Sequence, residues 1–297
     1  MQSLRVLTFN ISGANCSALA PPSFGLPAKY AAVAQLVLAE QPELVTLQEV
    51  FPEAAAPLAE ALLLAGYEPC GSVESHCGYT QLWAEARLRA RQYGDAGPVA
   101  IARIPLPLPG PGAGVADAAG TAGTAGAAGQ EPSLLHCIFF AGCHLEPFAD
   151  GAPQRLRQIE AALRAVPPRS RLVLAGDCNM RNFENAGVEA LGLADAFQQL
   201  GRPQNANFSW NTRVNRYYGE ETRAYTARYD RIYLRGLSAA ELRLVADREH
   251  TPGRGDFLSD HFGLLATVDI PQQPPPSPAG RQQQPGGARQ GRGPAQG

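Results

Sequence analysis

The residues best suited to chemistry in this chain fall within Leu174–Arg181 and Leu258–His261. The first run opens as an apolar strand, Leu172-Val173-Leu174-Ala175, and breaks at Gly176 into an acid, an amide and a base: Asp177, Asn179 and Arg181. Their alternation in an extended stretch predicts three side chains pointing the same way. A carboxylate, a carboxamide and a guanidinium at a strand end can activate water and hold an anion, most naturally a phosphate. Other polar residues recur at the ends of apolar runs: Asn10 after Leu4–Phe9, Glu49 after Leu44–Gln48, His144 after Leu134–Cys143, Asp230 at the start of Asp230–Arg235, and Ser259-Asp260-His261 before the last run. Each alone reads as an ordinary turn residue or hydrogen-bonded core residue. Together they mark one site at the strand ends of an α/β or sandwich fold. Glu49, Asp260 and the amide of Asn10 are hard oxygen donors suited to Mg²⁺ or Mn²⁺. With no paired cysteines and few histidines in the pattern, zinc fits less well.

The elements that must position these residues are short. Strands are expected at 4–10, 44–49, 79–84, 87–93, 98–103, 134–143, 171–176, 229–235 and 263–269. Apolar spacings of three and four predict helices at 28–40, 53–65, 153–165 and, shorter, 184–192. This mixture predicts two packed sheets with helices outside them. Residues 105–132 and 271–297 are rich in Pro, Gly, Ala, Gln and Arg and poor in bulky side chains. They are expected to be a disordered insertion and a disordered tail. The remainder, within 1–270, is expected to be a single catalytic domain.

Composition sets further bounds. Of 297 residues, 45% are hydrophobic and 18% charged, which is globular, and the net charge of −2 announces no general attraction to nucleic acid. Lys29 is the only lysine. Arg155, Arg157, Arg213, Arg216 and Arg223 are candidates for a local basic patch, and a solvated surface explains them equally well. The six cysteines form no CxxC pair, which favours free thiols over a disulfide framework or a zinc site. No signal stretch is expected at the N-terminus, and no apolar run has the roughly 20 residues of a bilayer span. An intracellular monomer is expected.

Thr8-Phe9-Asn10, Leu47-Gln48-Glu49-Val50, His144-Leu145-Glu146, Gly176-Asp177-Cys178-Asn179 and Ser259-Asp260-His261 resemble the motifs of the endonuclease/exonuclease/phosphatase (DNase-I-like) superfamily, in that family's order. The resemblance implies a four-layer α/β sandwich and metal-dependent phosphoester hydrolysis. Asp177–Asn182, Phe208–Thr212, Arg228–Arg235 and Ser259–Leu264 resemble more narrowly its 5′-tyrosyl-DNA phosphodiesterase branch. That branch removes a topoisomerase tyrosine from a DNA 5′ phosphate, which implies DNA with a 5′-tyrosyl adduct as partner and the nucleus or an organelle as its place. By resemblance, Glu49 is the principal Mg²⁺ ligand, with Asn10 and Asp260 in or near its shell. Asp177 orients and deprotonates the attacking water, and Asn179 fixes that water or a phosphoryl oxygen. His261, set by Asp230, and His144 contact the phosphate. Arg181 clamps it. Trp210 and Tyr229, with Ser259, line the substrate side, and Tyr79 is a further groove candidate. Two alternatives stay open from the residues: another hydrolase of the superfamily (inositol-polyphosphate 5-phosphatase, sphingomyelinase or RNA deadenylase type), and a catalytically silent binding protein of the same fold.

Overall fold

The structure, a computed structural model, describes residues 2–106, 136–219 and 223–271. Most of the expected insertion and tail therefore lie outside the described residues. Their inner edges are regular: Pro105 still pairs with Cys137, and the Pro271 carbonyl accepts a hydrogen bond from Arg171.

Two six-stranded mixed sheets face one another. The first runs β13 (Ser238–Val245), β14 (Gly263–Ile270), β1 (Gln2–Asn10), β2 (Leu44–Val50), β4 (Tyr79–Glu85), β3 (Tyr67–Glu74). The second runs β5 (Arg91–Asp95), β6 (Val99–Pro105), β7 (Cys137–His144), β8 (Arg171–Asp177), β12 (Asp230–Arg235), β9 (Ala194–Asp195). Alternation within the strands decides the layers. Leu4, Val6, Leu44 and Leu82 meet Ile138, Phe140, Val173 and Ile232 between the sheets. The opposite residues of the first sheet, Leu7, Phe9, Val45 and Leu47, pack under helices α1 (Leu26–Glu40) and α2 (Ala56–Leu64). Those of the second, Phe139, Leu172 and Leu174, pack with Ile159, Ala162 and Val166 of α3 (Ala152–Ala165) and the residue after it. The result is the expected four-layer α/β sandwich. Among the described residues, no helix is long and apolar enough to cross a membrane.

Differences from the expected elements are mostly at sheet edges. β3 and β13 are the two edge strands of the first sheet. Pro69 and Gly71 interrupt the pattern of β3, and β13 carries a register shift between Ala239 and Glu241 and buries only two of its eight residues. An edge strand needs neither unbroken apolar alternation nor every N–H, so neither was legible. The strand expected at 87–93 is instead a 3₁₀ turn, Ala86–Leu88, closed by Arg89 in the left-handed region, and β5 begins only at Arg91. Two short elements follow α4 (Asn185–Ala190) and β9: α5 (Ala196–Gln199) and the ribbon of β10 (Trp210–Asn211) with β11 (Thr226–Ala227).

Candidate active site

The site forms where the ends of both sheets meet. In the second sheet, register sets three residues in a row: His144 opposite Asp177 across β7–β8, and Asp177 opposite Asp230 across β8–β12. In the first sheet, Asn10 ends β1 and Glu49 lies one residue beyond its partner Gln48 on β2. Asn10 closes the gap between the sheets. Its Nδ2 donates to Glu49 Oε1 at 3.0 Å and to Asp177 Oδ2 at 3.1 Å.

Asp177 Oδ2 is the hub. Besides Asn10 it faces His144 Nε2 at 3.4 Å and His261 Nε2 at 3.6 Å, while Asp177 Oδ1 accepts the Asn179 N–H at 2.9 Å. Burial alone would raise this carboxyl, but His261, His144 and the two hydrogen bonds outweigh it and hold Asp177 below the usual range. His261 is likewise buried, which opposes its charge, yet Asp230 and Asp177 hold the imidazole well above its ordinary pKa. The Nδ1 of His261 lies 2.8 Å from Asp230 Oδ2, which fixes the ring's orientation and leaves Nε2 toward Asp177. His144 behaves oppositely. Burial pushes it down to about 4, against the pull of Asp177, so its ring is neutral at pH 7. Its Nδ1 lies 3.5 Å from Ser75 Oγ, and its face meets the His76 ring at 4.0 Å.

The backbone is shaped to this purpose. Gly176 is required because a Cβ there would lie 2.0 Å from the Cys143 carbonyl oxygen. Glu49 and Asn179 both adopt left-handed φ angles, 55° and 51°. Such conformations persist only where surroundings enforce them. They also correct the expectation of alternation: the strand stops at Asp177, and a turn capped by Asp177 Oδ1, not the pleat, sets Asn179. Asn179 Nδ2 then donates to the Leu145 carbonyl at 3.1 Å. Arg181 donates to the Asn179 carbonyl, and its guanidinium lies over the Tyr229 ring at 4.9 Å. Trp210 is half-buried rather than core; its ring stands edge-on to His261 at 4.9 Å and 6.0 Å from Tyr229.

Three expectations need correction. Ser259 faces no substrate: it is buried, its Oγ donates to the Asn10 carbonyl at 2.7 Å, and its own carbonyl accepts from Asn215. Arg155 belongs to no surface patch; it is fully buried, bidentate to Glu184 at 2.8 and 2.9 Å, and ties the loop after β7 to the loop after β8. Tyr79 packs against the apolar cluster under α1 and α2.

Other residues of the site carried no signal in the sequence. Tyr218 donates to Asp260 Oδ2 from an irregular stretch. Ser209 Oγ accepts the Asp230 N–H at 3.1 Å. Lys29, on α1, is wholly buried and gives its three hydrogens to Ser12 O, Asn15 O and Tyr217 Oη at 2.6–2.7 Å. Its rarity in this chain was the one hint.

The sequence pattern of the Endonuclease/Exonuclease/phosphatase family matches residues 7–261, from the middle of β1 to the histidine beside Asp177. The chain belongs to that family. Among curated proteins it is similar to tyrosyl-DNA phosphodiesterase 2 of Xenopus laevis, 33% identical over 141 residues, and of Homo sapiens, 31% over 137 residues. Each match covers 43% of this chain and 36% or 37% of the relative, so the matched stretch is little more than a third of the relative's length. Among solved structures, D. rerio TDP2 complexed with single-strand DNA product superposes with a TM-score of 0.65 at 19% identity, over 91% of this chain and 100% of that one. Truncated Caenorhabditis elegans TDP2 gives 0.62 at 20% identity, over 90% and 97%. An endonuclease/exonuclease/phosphatase family protein from Bacteroides thetaiotaomicron gives 0.60 at 14% identity, over 91% and 98%. At these identities the likeness speaks for the fold. Of the described donor atoms, one trio lies within 4.8 Å of one another: Asp177, Asp230 and His261. These atoms are already engaged, His261 with Asp230 and Asp177 with Asn10.

Proposed function

We propose that the chain is a divalent-metal-dependent phosphodiesterase that cleaves 5′-phosphotyrosyl bonds in DNA. The convergence of Asn10, His144 and His261 on one ionised carboxylate, Asp177, beside the aromatic pair Trp210 and Tyr229, carries this reading. The relatives named tyrosyl-DNA phosphodiesterase 2, and the solved complex with a DNA product, support the choice of substrate.

The donor set suits a hard cation. Burial raises the carboxyl of Glu49, and the nearby carboxylates Asp260 and Asp177 add to it. Three acids so placed hold more negative charge than Asn10 and the histidines offset, and a divalent ion relieves the excess. Glu49 and Asp260 are the residues to hold Mg²⁺, or Mn²⁺ in its place. When bound there, the ion supplies positive charge to a phosphoryl oxygen and to the departing oxygen.

The protein's own groups do the rest. Asp177 accepts a hydrogen from the attacking water and sets its line of approach, while Asn10 and Asn179 hold the carboxylate still. His261, kept protonated by Asp230 and Asp177, donates from Nε2 to a phosphoryl oxygen as charge builds there. Neutral His144 offers Nε2 on the opposite side. Arg181 pairs with phosphate from its seat on Tyr229. A tyrosine leaving as phenolate, with a pKa near 10, needs no strong general acid. Trp210 and Tyr229 present faces on which a base stacks.

The test is a panel of 5′-tyrosyl DNA, 3′-tyrosyl DNA, abasic duplex, phosphoinositide and sphingomyelin, each with Mg²⁺ and with EDTA. We expect release of tyrosine from the 5′ substrate, abolished by EDTA and restored by Mg²⁺ or Mn²⁺. Hydrolysis of a lipid or inositol substrate without the 5′-tyrosyl one would assign the site to another reaction.

A further inference from the structure

Glu49 and Asp260 are the two carboxylates placed to hold the ion, and each depends on a donor for its orientation. Glu49 has Asn10 Nδ2 at 3.0 Å. For Asp260 the donor is Tyr218, whose Oη donates to Asp260 Oδ2. The other candidate is Ser259 Oγ, 3.2 Å from Asp260 Oδ1, but a hydroxyl has one hydrogen, and that of Ser259 goes to the nearer Asn10 carbonyl at 2.7 Å. Among the described residues, the phenol of Tyr218 is therefore what fixes the Asp260 carboxylate.

Tyr218 is 54% exposed, and an exposed phenol ordinarily bonds water. The stretch that carries it directs this one to Asp260. Asn215 Nδ2 donates at 2.7 Å to the carbonyl of Ser259, the neighbour of Asp260, and Asn215 Oδ1 accepts the Tyr217 N–H at 3.1 Å. Tyr217 is buried. Its carbonyl accepts the Ala18 N–H at 2.7 Å, and its Oη accepts from Lys29 and donates to Asn15 O, each at 2.7 Å. The Tyr218 ring stands edge-on to this anchor, 5.3 Å from the Tyr217 ring, and lies 6.5 Å from Trp210.

We propose that Tyr218 is a positioning residue for the divalent-ion site, holding Asp260 in the orientation that takes the ion. The proposal rests on the reading of Glu49 and Asp260 as the ion's carboxylates. Without the phenol, Asp260 turns about its terminal torsion, which is broad and roughly two-fold, and binding the ion must stop that motion. Donors behind ligating carboxylates are worth roughly 10–100-fold in metal affinity. The exposure of Tyr218 puts its share near the lower end, at about tenfold.

The experiment titrates Mn²⁺ into the full chain, without substrate, and reads the free ion by electron paramagnetic resonance. Wild type, Tyr218→Phe and Tyr225→Phe are compared, and the binding lost in Glu49→Gln defines the site. Phenylalanine at 218 keeps the ring and removes only the hydroxyl. Tyr225 is the control: an exposed tyrosine of the same aromatic wall whose Oη meets Tyr229. Tyr218→Phe should bind Mn²⁺ about tenfold more weakly. The Mg²⁺ concentration that half-saturates tyrosine release should rise by the same factor, with Tm within about 2 °C of wild type. Tyr225→Phe should bind Mn²⁺ as wild type does. Unchanged Mn²⁺ affinity in Tyr218→Phe, an equal loss in both variants, or a loss that comes with a larger fall in Tm would overturn the role given to Tyr218. If wild type shows no Mn²⁺ site that Glu49→Gln removes, the metal reading fails and the proposal falls with it. If wild type binds Mn²⁺ there but releases no tyrosine, the substrate reading fails instead, and the Mn²⁺ comparison still decides what Tyr218 does.

Discussion

Lys29→Met probes how the fold secures its active edge. In the native chain the buried ammonium holds Ser12 O, Asn15 O and Tyr217 Oη together. It thereby joins the loop that follows Asn10 to the stretch carrying Tyr218. Burial lowers its pKa from 10.5 to about 8, with partial compensation from Cys16, Asp260 and Glu49. At about 1.36 kcal/mol per pH unit, keeping this charge inside costs roughly 3 kcal/mol at neutral pH. Methionine removes that cost but leaves three acceptors short of a donor, at about 1–3 kcal/mol each. Asn15 O keeps a donor in Tyr217 Oη and Ser12 O keeps one in the Asn15 N–H, so the lower part of that range applies. The net loss at pH 7 should be about 1–3 kcal/mol. The pH dependence is the sharper signature. Below pH 8 the lysine is protonated in both folded and unfolded chains and the cost is fully present. Between 8 and 10.5 only the unfolded chain keeps the proton, so rising pH favours the folded wild type. Buried Tyr233 and Cys70, whose raised pKa values owe nothing to Lys29, push the other way above pH 9 equally in both proteins. Urea titrations at pH 7, 8, 9 and 10 should therefore show the wild-type advantage widening by up to about 3 kcal/mol. An advantage that stays flat across that range would refute the reasoning, as would a variant no less stable at pH 7.

Two further outcomes follow from the same geometry. Asp230→Asn removes the charge that keeps His261 protonated and should lower kcat by about 10²–10⁴-fold with a small change in KM, as loss of the orienting carboxylate does in hydrolytic triads; steady-state kinetics across pH 5–9 check it. Arg155→Met strands Glu184 in the interior and should cost about 3–5 kcal/mol, or on the order of 10 °C in Tm, and Arg155→Met/Glu184→Leu should recover part of that loss in calorimetry.

Central strands and their terminal residues were legible because burial on both faces writes itself as apolar runs, and the polar residue that ends each run then stands out. Asn10, Glu49, His144, Asp177, Asp230 and His261 were all found this way. Edge strands β3 and β13 were not, since a half-exposed strand with Pro69, Gly71 or a bulge has no such pattern. Alternation failed at Asn179 because a left-handed residue turns the chain off the pleat. Hydrogen bonds across the fold were also invisible. Ser259 looked like a substrate contact because it borders Asp260, yet its hydroxyl is used by a backbone oxygen 249 residues away. Tyr218 and Lys29 contribute through tertiary contacts from positions with no local motif.

In the proposed mechanism Asp177 readies water for attack on a 5′-phosphotyrosyl bond. The most direct measurement is the single-turnover rate of tyrosine release from 5′-tyrosyl DNA with Mg²⁺, for wild type and Asp177→Asn, with DNA affinity measured alongside. Wild type should release tyrosine, and Asp177→Asn should be slower by at least about 10³-fold while binding the product strand with similar affinity. A variant within tenfold of wild type would contradict the role given to Asp177 and the mechanism built on it.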